Sequence, residues 1–351
     1  MKIDRTFKKS AGFALKLLIA AGIVIFLVRR NRQGIVDCFQ HFDYRYLIPA
    51  LVFYMAHIVV TAWRWRELAK ILGVRLSRFE ALSLTFQGVF FSLVIPAGAI
   101  GGDVVKMGAV TKRSAAGVKV EGAFTVLMDR IVGMIALFAL ELAIIVPAIP
   151  ILRKVNIAGI ALSDKTRILG IWVLVLLAIA GLLASCAIFF HRIIERMPLL
   201  GTLMRKTDML THGMVRRMTD ATDVYSGSWK KLSLLTLASI PLVHLMTAVP
   251  MFFLLSGLGA EYRIFDVVVA VTIGNIIGLI PIFPSGIGGR DIAFIALLAA
   301  SGTAESAADT AQLLYTGIVI LSTLPGMIFF LTDPGRKLQS GTDDPESTDA
   351  P

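Results

Sequence analysis

Apolar residues run through this chain in long blocks, and two glycine-rich interruptions inside the apolar regions give it its organisation. Blocks of membrane-spanning length, about 20 residues for a helix, fall near 11–28, 47–63, 122–149, 168–190, 232–256 and 311–331. Two further apolar stretches, 81–97 and 264–300, are broken. The first meets Pro96-Ala-Gly-Ala-Ile-Gly-Gly-Asp103 and the second holds Pro284-Ser-Gly-Ile-Gly-Gly-Arg-Asp291. Proline and several glycines do not continue a helix comfortably, and charges beside them are costly in hydrocarbon. Such features persist at membrane depth only where they are buried in protein or line a wet cavity.

At an offset of 188 residues the two octets match at Pro96/Pro284, Gly98/Gly286, Gly101/Gly289 and Asp103/Asp291. Gly102 and Gly288 complete the glycine sets that are expected to break the hairpins. The same offset carries 47–63 onto 235–251 and the start of the third span onto the start of the sixth. A duplicated half with a site between the copies is the expectation.

Charge fixes the expected topology. Of 35 Lys and Arg, 23 fall inside, 9 outside and 3 within the membrane (Lys16, Arg130, Arg290) if both broken stretches dip in and return; full crossings would scramble that positive-inside bias. The fold class predicted is therefore an all-α polytopic membrane protein. It has about six full spans and two oppositely oriented re-entrant hairpins, forming an inverted repeat. Residues 1–334 make one transmembrane domain with repeat halves at about 47–149 and 232–331. The basic stretch 191–231, with Leu203, Leu210, Met214 and Met218 at helical spacing, is expected to form a cytoplasmic amphipathic helix. Residues 335–351 read as a disordered polar tail. The chain is expected to be integral to the cytoplasmic (inner) membrane, with both termini in the cytoplasm.

Composition agrees with the blocks: 56% of residues are hydrophobic and the mean hydropathy is +0.77. The net charge of +11 reads as cations held near anionic headgroups, not as a nucleic-acid surface. Cys38 and Cys186 give neither a disulfide framework nor metal spacing. No HExxH and no GxxxxGK[ST] occurs, so no metal, cofactor or ATP-driven engine is expected, and the chain reads as a non-enzyme. Trp63, Trp65 and Trp229 are expected as interfacial anchors, with Arg64–Arg78 cytoplasmic.

Gln87-Gly-Val-Phe-Phe, Pro96, Gly101-Gly-Asp103, Asp129-Arg-Ile-Val-Gly133 and Pro284-x-Gly-Ile-Gly-x-Arg290-Asp291 occur in order along the chain. In these the sequence resembles the transmembrane region of the lysylphosphatidylglycerol synthase/flippases, a family that includes stand-alone flippase-like membrane proteins. The resemblance covers roughly residues 12–331. It implies the translocating half without the soluble synthase domain, and functional positions at Asp103, Arg130, Arg290 and Asp291. Members usually carry Glu after the last arginine; Asp291 keeps the charge with one methylene less reach.

Each candidate has two readings. Asp103 and Asp291 read as helix N-caps or as carboxylates tuning an anion site at a helix N-terminus. Arg290 beside Asp291 reads as a structural ion pair or as a phosphate ligand, because the guanidinium fork binds two oxygens at once. Arg130 is expected to pair with Asp103 or Glu141. Lys106, Asp129 and Glu141 are secondary candidates, with Glu141 and His244 read as satisfied polar groups of a helix bundle.

The function expected is translocation of a phospholipid or polyprenyl-phosphate-type lipid through a cavity between the hairpins. The partners would be membrane lipids, a separate lipid-synthesising enzyme and a second copy in a homodimer. Two other readings are an intramembrane enzyme acting on lipid phosphates and a non-transporting partner of a lipid synthase.

Overall fold

A computed structural model gives the fold for residues 32–95, 99–113, 119–157, 160–197, 202, 206–210, 213–280 and 286–332. The first apolar block at 11–28, the tail from 335, Leu203, and Pro96, Gly98 and Pro284 lie outside the described residues.

The described chain is helical throughout, apart from one isolated bridge between Ile157 and Ile160. In order the helices are α1 (Arg32–His41), α2 (Leu47–Ile71), α3 (Arg78–Val94), α4 (Ala99–Arg113), α5 (Lys119–Leu152), α6 (Asp164–Ala187) and α7 (His191–Arg196). They continue as α8 (Met214–Gly227), α9 (Trp229–Ser239), α10 (Val249–Gly257), α11 (Ile264–Gly278), α12 (Gly289–Ala300) and α13 (Glu305–Thr332). Among the described residues five stretches are long and apolar enough to cross a membrane: Tyr44–Ile71, Lys119–Leu152, Asp164–Phe190, Trp229–Gly257 and Glu305–Thr332. Each contains the apolar block expected there.

Helix α6 shows what solvent these helices require. Only Ala178 and Ser185 are buried, while Leu169, Trp172, Val173, Leu176 and Leu183 all face outward. In water that face would be an association hazard; against lipid tails it is ordinary. Ser163 caps its start by accepting a hydrogen bond from the Thr166 N–H at 3.2 Å, which satisfies one orphan amide of the first turn.

The two broken stretches form two helix pairs, α3 with α4 and α11 with α12. Gly102 makes the first pair possible, since a side chain there would run into the Gly88 carbonyl and Ser92. In the second pair Gly274 lies under the Phe294 ring and Gly278 against Gly286 and Arg290. Gly274-x-x-x-Gly278 is thus a packing face.

Shifted by 188 residues, α3 falls on 266–282 and α4 on 287–301, against observed helices at 264–278 and 289–300. The internal repeat seen in the octets therefore extends to the helix boundaries. The packing is exchanged between halves: α13 covers α3, and α5 covers α11. Phe329 meets Phe79 and Phe86, Phe330 meets Phe91, and Gly326 lets α13 approach the Phe86 carbonyl. The largest apolar cluster runs through α5, α10, α11, α12 and α13, with Met251, Leu254, Val267, Ile273, Phe294 and Tyr315 at its centre.

Three expectations need correction. The span expected at 47–63 continues to Ile71, and its Trp63-Arg-Trp-Arg66 end is not a simple interfacial anchor. Trp63 and Trp229 are exposed, but Trp65 and Arg64 are buried in the bundle. Second, Gly101 and Gly102 do not break a helix; both lie in the first turn of α4. Gly286 and Gly288 do mark a break, at φ 77 and 103, backbone that glycine adopts without strain. Third, the basic segment does not simply lie free: α8 docks on the bundle through Ala221, Thr222 and Tyr225, whose hydroxyl donates to the Leu68 carbonyl at 3.1 Å. Met218 joins that contact, while Leu210 and Met214 are exposed.

Candidate functional site

The charged residues singled out in the sequence fall into two clusters, one in each half. The first is built from α2, α4 and α5. Asp129 of α5 accepts from Arg64 Nε at 2.9 Å, and Arg64 Nη2 donates to the Asp129 carbonyl at 3.2 Å. Arg64 also donates to Ser239 Oγ at 3.0 Å. Lys106 of α4 brings its ammonium 3.8 Å from the other Asp129 oxygen and 3.7 Å from the centre of the Trp65 ring. Trp65 is fixed in turn, its indole N–H donating to Thr125 Oγ1 at 3.1 Å. Charged groups out of water persist only when paired and hydrogen-bonded, and this network meets that condition.

One helical step away, Arg130 Nε donates to Asp103 Oδ2 at 2.5 Å. Of the two partners anticipated for Arg130, the structure selects Asp103. Asp103 is the fifth residue of α4 and not its cap, so the N-cap reading fails there. Arg130 keeps 41% of its side chain exposed, against 6% for Arg64. Among the described residues the cluster brings together three cations (Arg64, Lys106, Arg130) and two carboxylates (Asp103, Asp129).

The second cluster sits at the start of α12. Asp291 Oδ2 accepts from the Gly288 N–H at 2.9 Å, the return half of a capping box. The N-cap is Gly288 and Asp291 the third residue of α12, so Asp291 satisfies an orphan amide without being the cap itself. Its other oxygen, Oδ1, accepts from Gln312 Nε2 at 2.6 Å and Thr316 Oγ1 at 3.3 Å, both on α13. Arg290 Nε lies 3.6 Å from that same oxygen, beyond hydrogen-bond range. Arg290 is only 6% exposed, yet its Nε and Nη2 have no hydrogen-bond partner among the described residues. Its guanidinium carbon lies 5.8 Å from the Phe294 ring centre and 5.4 Å from that of Tyr315. Tyr54 stands edge-on to Tyr315 with centroids 5.7 Å apart. Arginine over aromatic faces gains some cation–π attraction, but that does not satisfy N–H donors.

Glu141 belongs to neither cluster. It is fully buried on α5, and both carboxylate oxygens lack a partner among the described residues. The expectation of a satisfied polar group is thus wrong for Glu141 and right for His244, whose Nε2 lies 3.0 Å from the Gly133 carbonyl.

No hydrogen bond or ion pair between described residues joins the two clusters directly. They connect through the span Trp229–Gly257, which is irregular at its middle: a wide turn over Ile240–His244 and a tight one over Leu245–Ala248. Ser239 bonds the first cluster. Thr247 accepts from Asn275 Nδ2 at 3.1 Å through its hydroxyl, and from the Tyr315 hydroxyl at 3.0 Å through its carbonyl.

Sequence reasoning missed Arg64, Gln312 and Thr316. Gln312 and Thr316 did carry a signal: two polar residues four apart in an apolar span share one helix face. Arg64 carried none, because its partner is 65 positions away.

Comparison with known proteins places this architecture. The UPF0104 membrane protein PH1989 of Pyrococcus horikoshii is 22% identical over 328 residues, covering 92% of this chain and 97% of that protein. The family model described as the lysylphosphatidylglycerol synthase TM region matches residues 13–326, and those residues include both helix pairs and both charge clusters. The chain therefore belongs to the family of the lysylphosphatidylglycerol synthase transmembrane region, a membrane-protein family tied by its name to lipid metabolism.

Proposed function

We propose that this chain moves a phosphate-bearing lipid, a phospholipid or a polyprenyl phosphate, across the cytoplasmic membrane between two re-entrant helix pairs. The observation that carries the reading is Arg290. An arginine only 6% exposed, with two donors unpartnered among the described residues, is expensive to maintain. A bound phosphate would satisfy both donors, since the fork matches two phosphate oxygens. The residue occupies the first turn of α12, where helix amides and dipole also favour an anion.

Helix lengths support re-entrance. At about 1.5 Å per residue, α3 is about 25 Å long, α4 and α11 about 22 Å and α12 about 18 Å, short of a hydrocarbon core of about 30 Å. With both pairs re-entrant, two crossings, α5 and α6, lie between α2 and its equivalent α9–α10, so the halves run in opposite directions. One pair then opens from each side, the arrangement of many alternating-access carriers. Arg130, with 41% of its side chain exposed, would receive the headgroup on one side and Arg290 on the other. The acyl or prenyl tails stay in lipid throughout.

The test is transport of a labelled lipid by purified protein in proteoliposomes. Arg290→Ala is expected to abolish it while leaving expression and the melting temperature near wild type. Unchanged transport in that variant would overturn the reading.

A further inference from the structure

Beyond a general phosphate site, the second cluster carries a detail that bears on which phosphate it fits. Gln312 is 1% exposed, and its amide is oriented by its neighbours: Nε2 donates to Asp291 Oδ1 at 2.6 Å and points toward Thr316 Oγ1 at 3.2 Å. The reverse orientation would set the amide oxygen against a carboxylate, two acceptors face to face. The amide oxygen Oε1 must therefore point away from Asp291, and it has no partner among the described residues. Arg290 Nε stands 3.6 Å from the same Asp291 oxygen that Gln312 bonds. Two donors and one acceptor, all buried and unpartnered among the described residues, thus belong to two side chains that flank one carboxylate oxygen.

We infer that this station is selective for a lipid phosphate monoester over a phosphodiester. A diester offers the phosphate's acceptor oxygens to Arg290 and leaves Gln312 Oε1 empty. A monoester in its monoanionic form has those oxygens and also a P–OH, which donates to Gln312 Oε1. Its second ionisation lies near neutrality, at about pH 6 in phosphorylated side chains, so the protonated form is available. Asp291 beside the station adds to the preference, because its negative charge disfavours the dianion. Specificity of this kind is strong for a general reason: a ligand lacking the donor leaves a buried acceptor unpaired.

The inference uses the transport reading only to bring a lipid to this station, and the two are separable by experiment. Binding to the purified full chain in detergent would be measured with three probes: short-chain phosphatidate, short-chain phosphatidylmethanol and inorganic phosphate. Phosphatidylmethanol is an anionic diester with no hydroxyl on its headgroup. Phosphatidate is expected to bind about tenfold tighter than phosphatidylmethanol, the worth of about one hydrogen bond, and tighter than inorganic phosphate. Gln312→Met, of similar length and lacking the acceptor, is expected to remove that preference by weakening phosphatidate alone. Equal affinity for monoester and diester in the wild type would overturn the inference, and that measurement decides it even if the variant does not fold. Inorganic phosphate binding as tightly as phosphatidate would also overturn it, in favour of a free-anion site. Selective binding without movement in proteoliposomes would sink the transport reading and leave the selectivity standing; transport without selectivity would do the reverse.

Discussion

Ser239 and Thr247 stand at the two ends of one irregular stretch of helix, and each is bonded to a different buried cluster. Ser239 takes a hydrogen bond from Arg64, which holds Asp129, while Thr247 takes one from Tyr315, whose ring lies against Arg290. The span Trp229–Gly257 is therefore the shared wall of both clusters. Its regular ends pack into the bundle, and its middle is the part with two hydrogen-bonding patterns in succession. Unwound backbone at membrane depth is tolerated when it is buried in protein, as Val243, Thr247 and Ala248 are.

Arg290→Lys separates charge from geometry at the second cluster. Lysine keeps the positive charge but presents it as a point, without the planar fork. Transport is expected to fall about tenfold or more relative to wild type, the loss of about one charge-assisted hydrogen bond. Full activity in the lysine variant would mean that charge alone matters.

The Arg64–Asp129 pair is a prediction about stability. Both side chains are under 10% exposed. Removing Asp129 leaves Arg64 and Lys106 without their shared carboxylate, at about 3–5 kcal/mol, while removing Arg64 leaves Asp129 with the Lys106 ammonium at 3.8 Å and costs less. Asp129→Ala is expected to lower the detergent melting temperature sharply, and Arg64→Ala to lower it less. The double change to Arg64→Met and Asp129→Leu should cost less than Asp129→Ala alone, because only Lys106 is then left without its carboxylate. Additive losses would show that the two do not act as a pair.

Legibility in the sequence divided along physical lines. Periodicity and the 188-residue offset were enough for the helix pairs, because glycine and proline interrupt an apolar pattern visibly. Asp103, Arg130, Arg290 and Asp291 could be singled out because charge in an apolar block is conspicuous. What could not be read was pairing across the chain. Trp63-Arg-Trp-Arg66 has the composition of an interfacial anchor, and only tertiary contact shows that Arg64 and Trp65 face Asp129, Lys106 and Thr125. Nor could spacing show that Arg130 and Arg290 belong to separate clusters, since that depends on how α4, α5 and α12 pack.

Gly102 and Gly108 offer an internal control on the first helix pair. Both lie in α4, but a side chain at Gly102 would strike the Gly88 carbonyl, while at Gly108 nothing lies within 4 Å. Gly102→Ala is expected to destabilise the protein by about 1–3 kcal/mol through overpacking. Gly108→Ala should stabilise it slightly, by about 0.5–1 kcal/mol from helix propensity. Thermal unfolding of the two variants in the same detergent checks the contrast. If both behave alike, α3 and α4 do not pack through Gly88 and Gly102.

Glu141 should behave oppositely to the paired carboxylates. A buried carboxyl without a partner costs about 1–3 kcal/mol, and nothing in the described structure offsets that cost. Glu141→Leu is expected to raise the melting temperature. If transport survives, Glu141 is a structural remnant; if it is lost while the protein becomes more stable, the carboxyl has been retained for function at the expense of stability.

Pro241 gives the sharpest test of the broken span. It sits second in the wide turn Ile240–His244. Proline lacks the N–H that would bond the carbonyl of Leu237 in a regular helix, and its ring crowds that carbonyl. A wide turn relieves the clash, and the Leu245 N–H then reaches back to the Ile240 carbonyl. Pro241→Ala removes the cause of the irregularity. A regular helix through this stretch would rotate Thr247 relative to Ser239, since the wide turn holds more residues per revolution than an α-helix. Either Arg64 or Tyr315 would then lose its partner on this span. The expected result is that the alanine variant folds with equal or greater thermal stability, still binds lipid, and transports it several-fold more slowly, because one cluster has lost its link to the other. Wild-type transport in Pro241→Ala would show that the two clusters work without this connection.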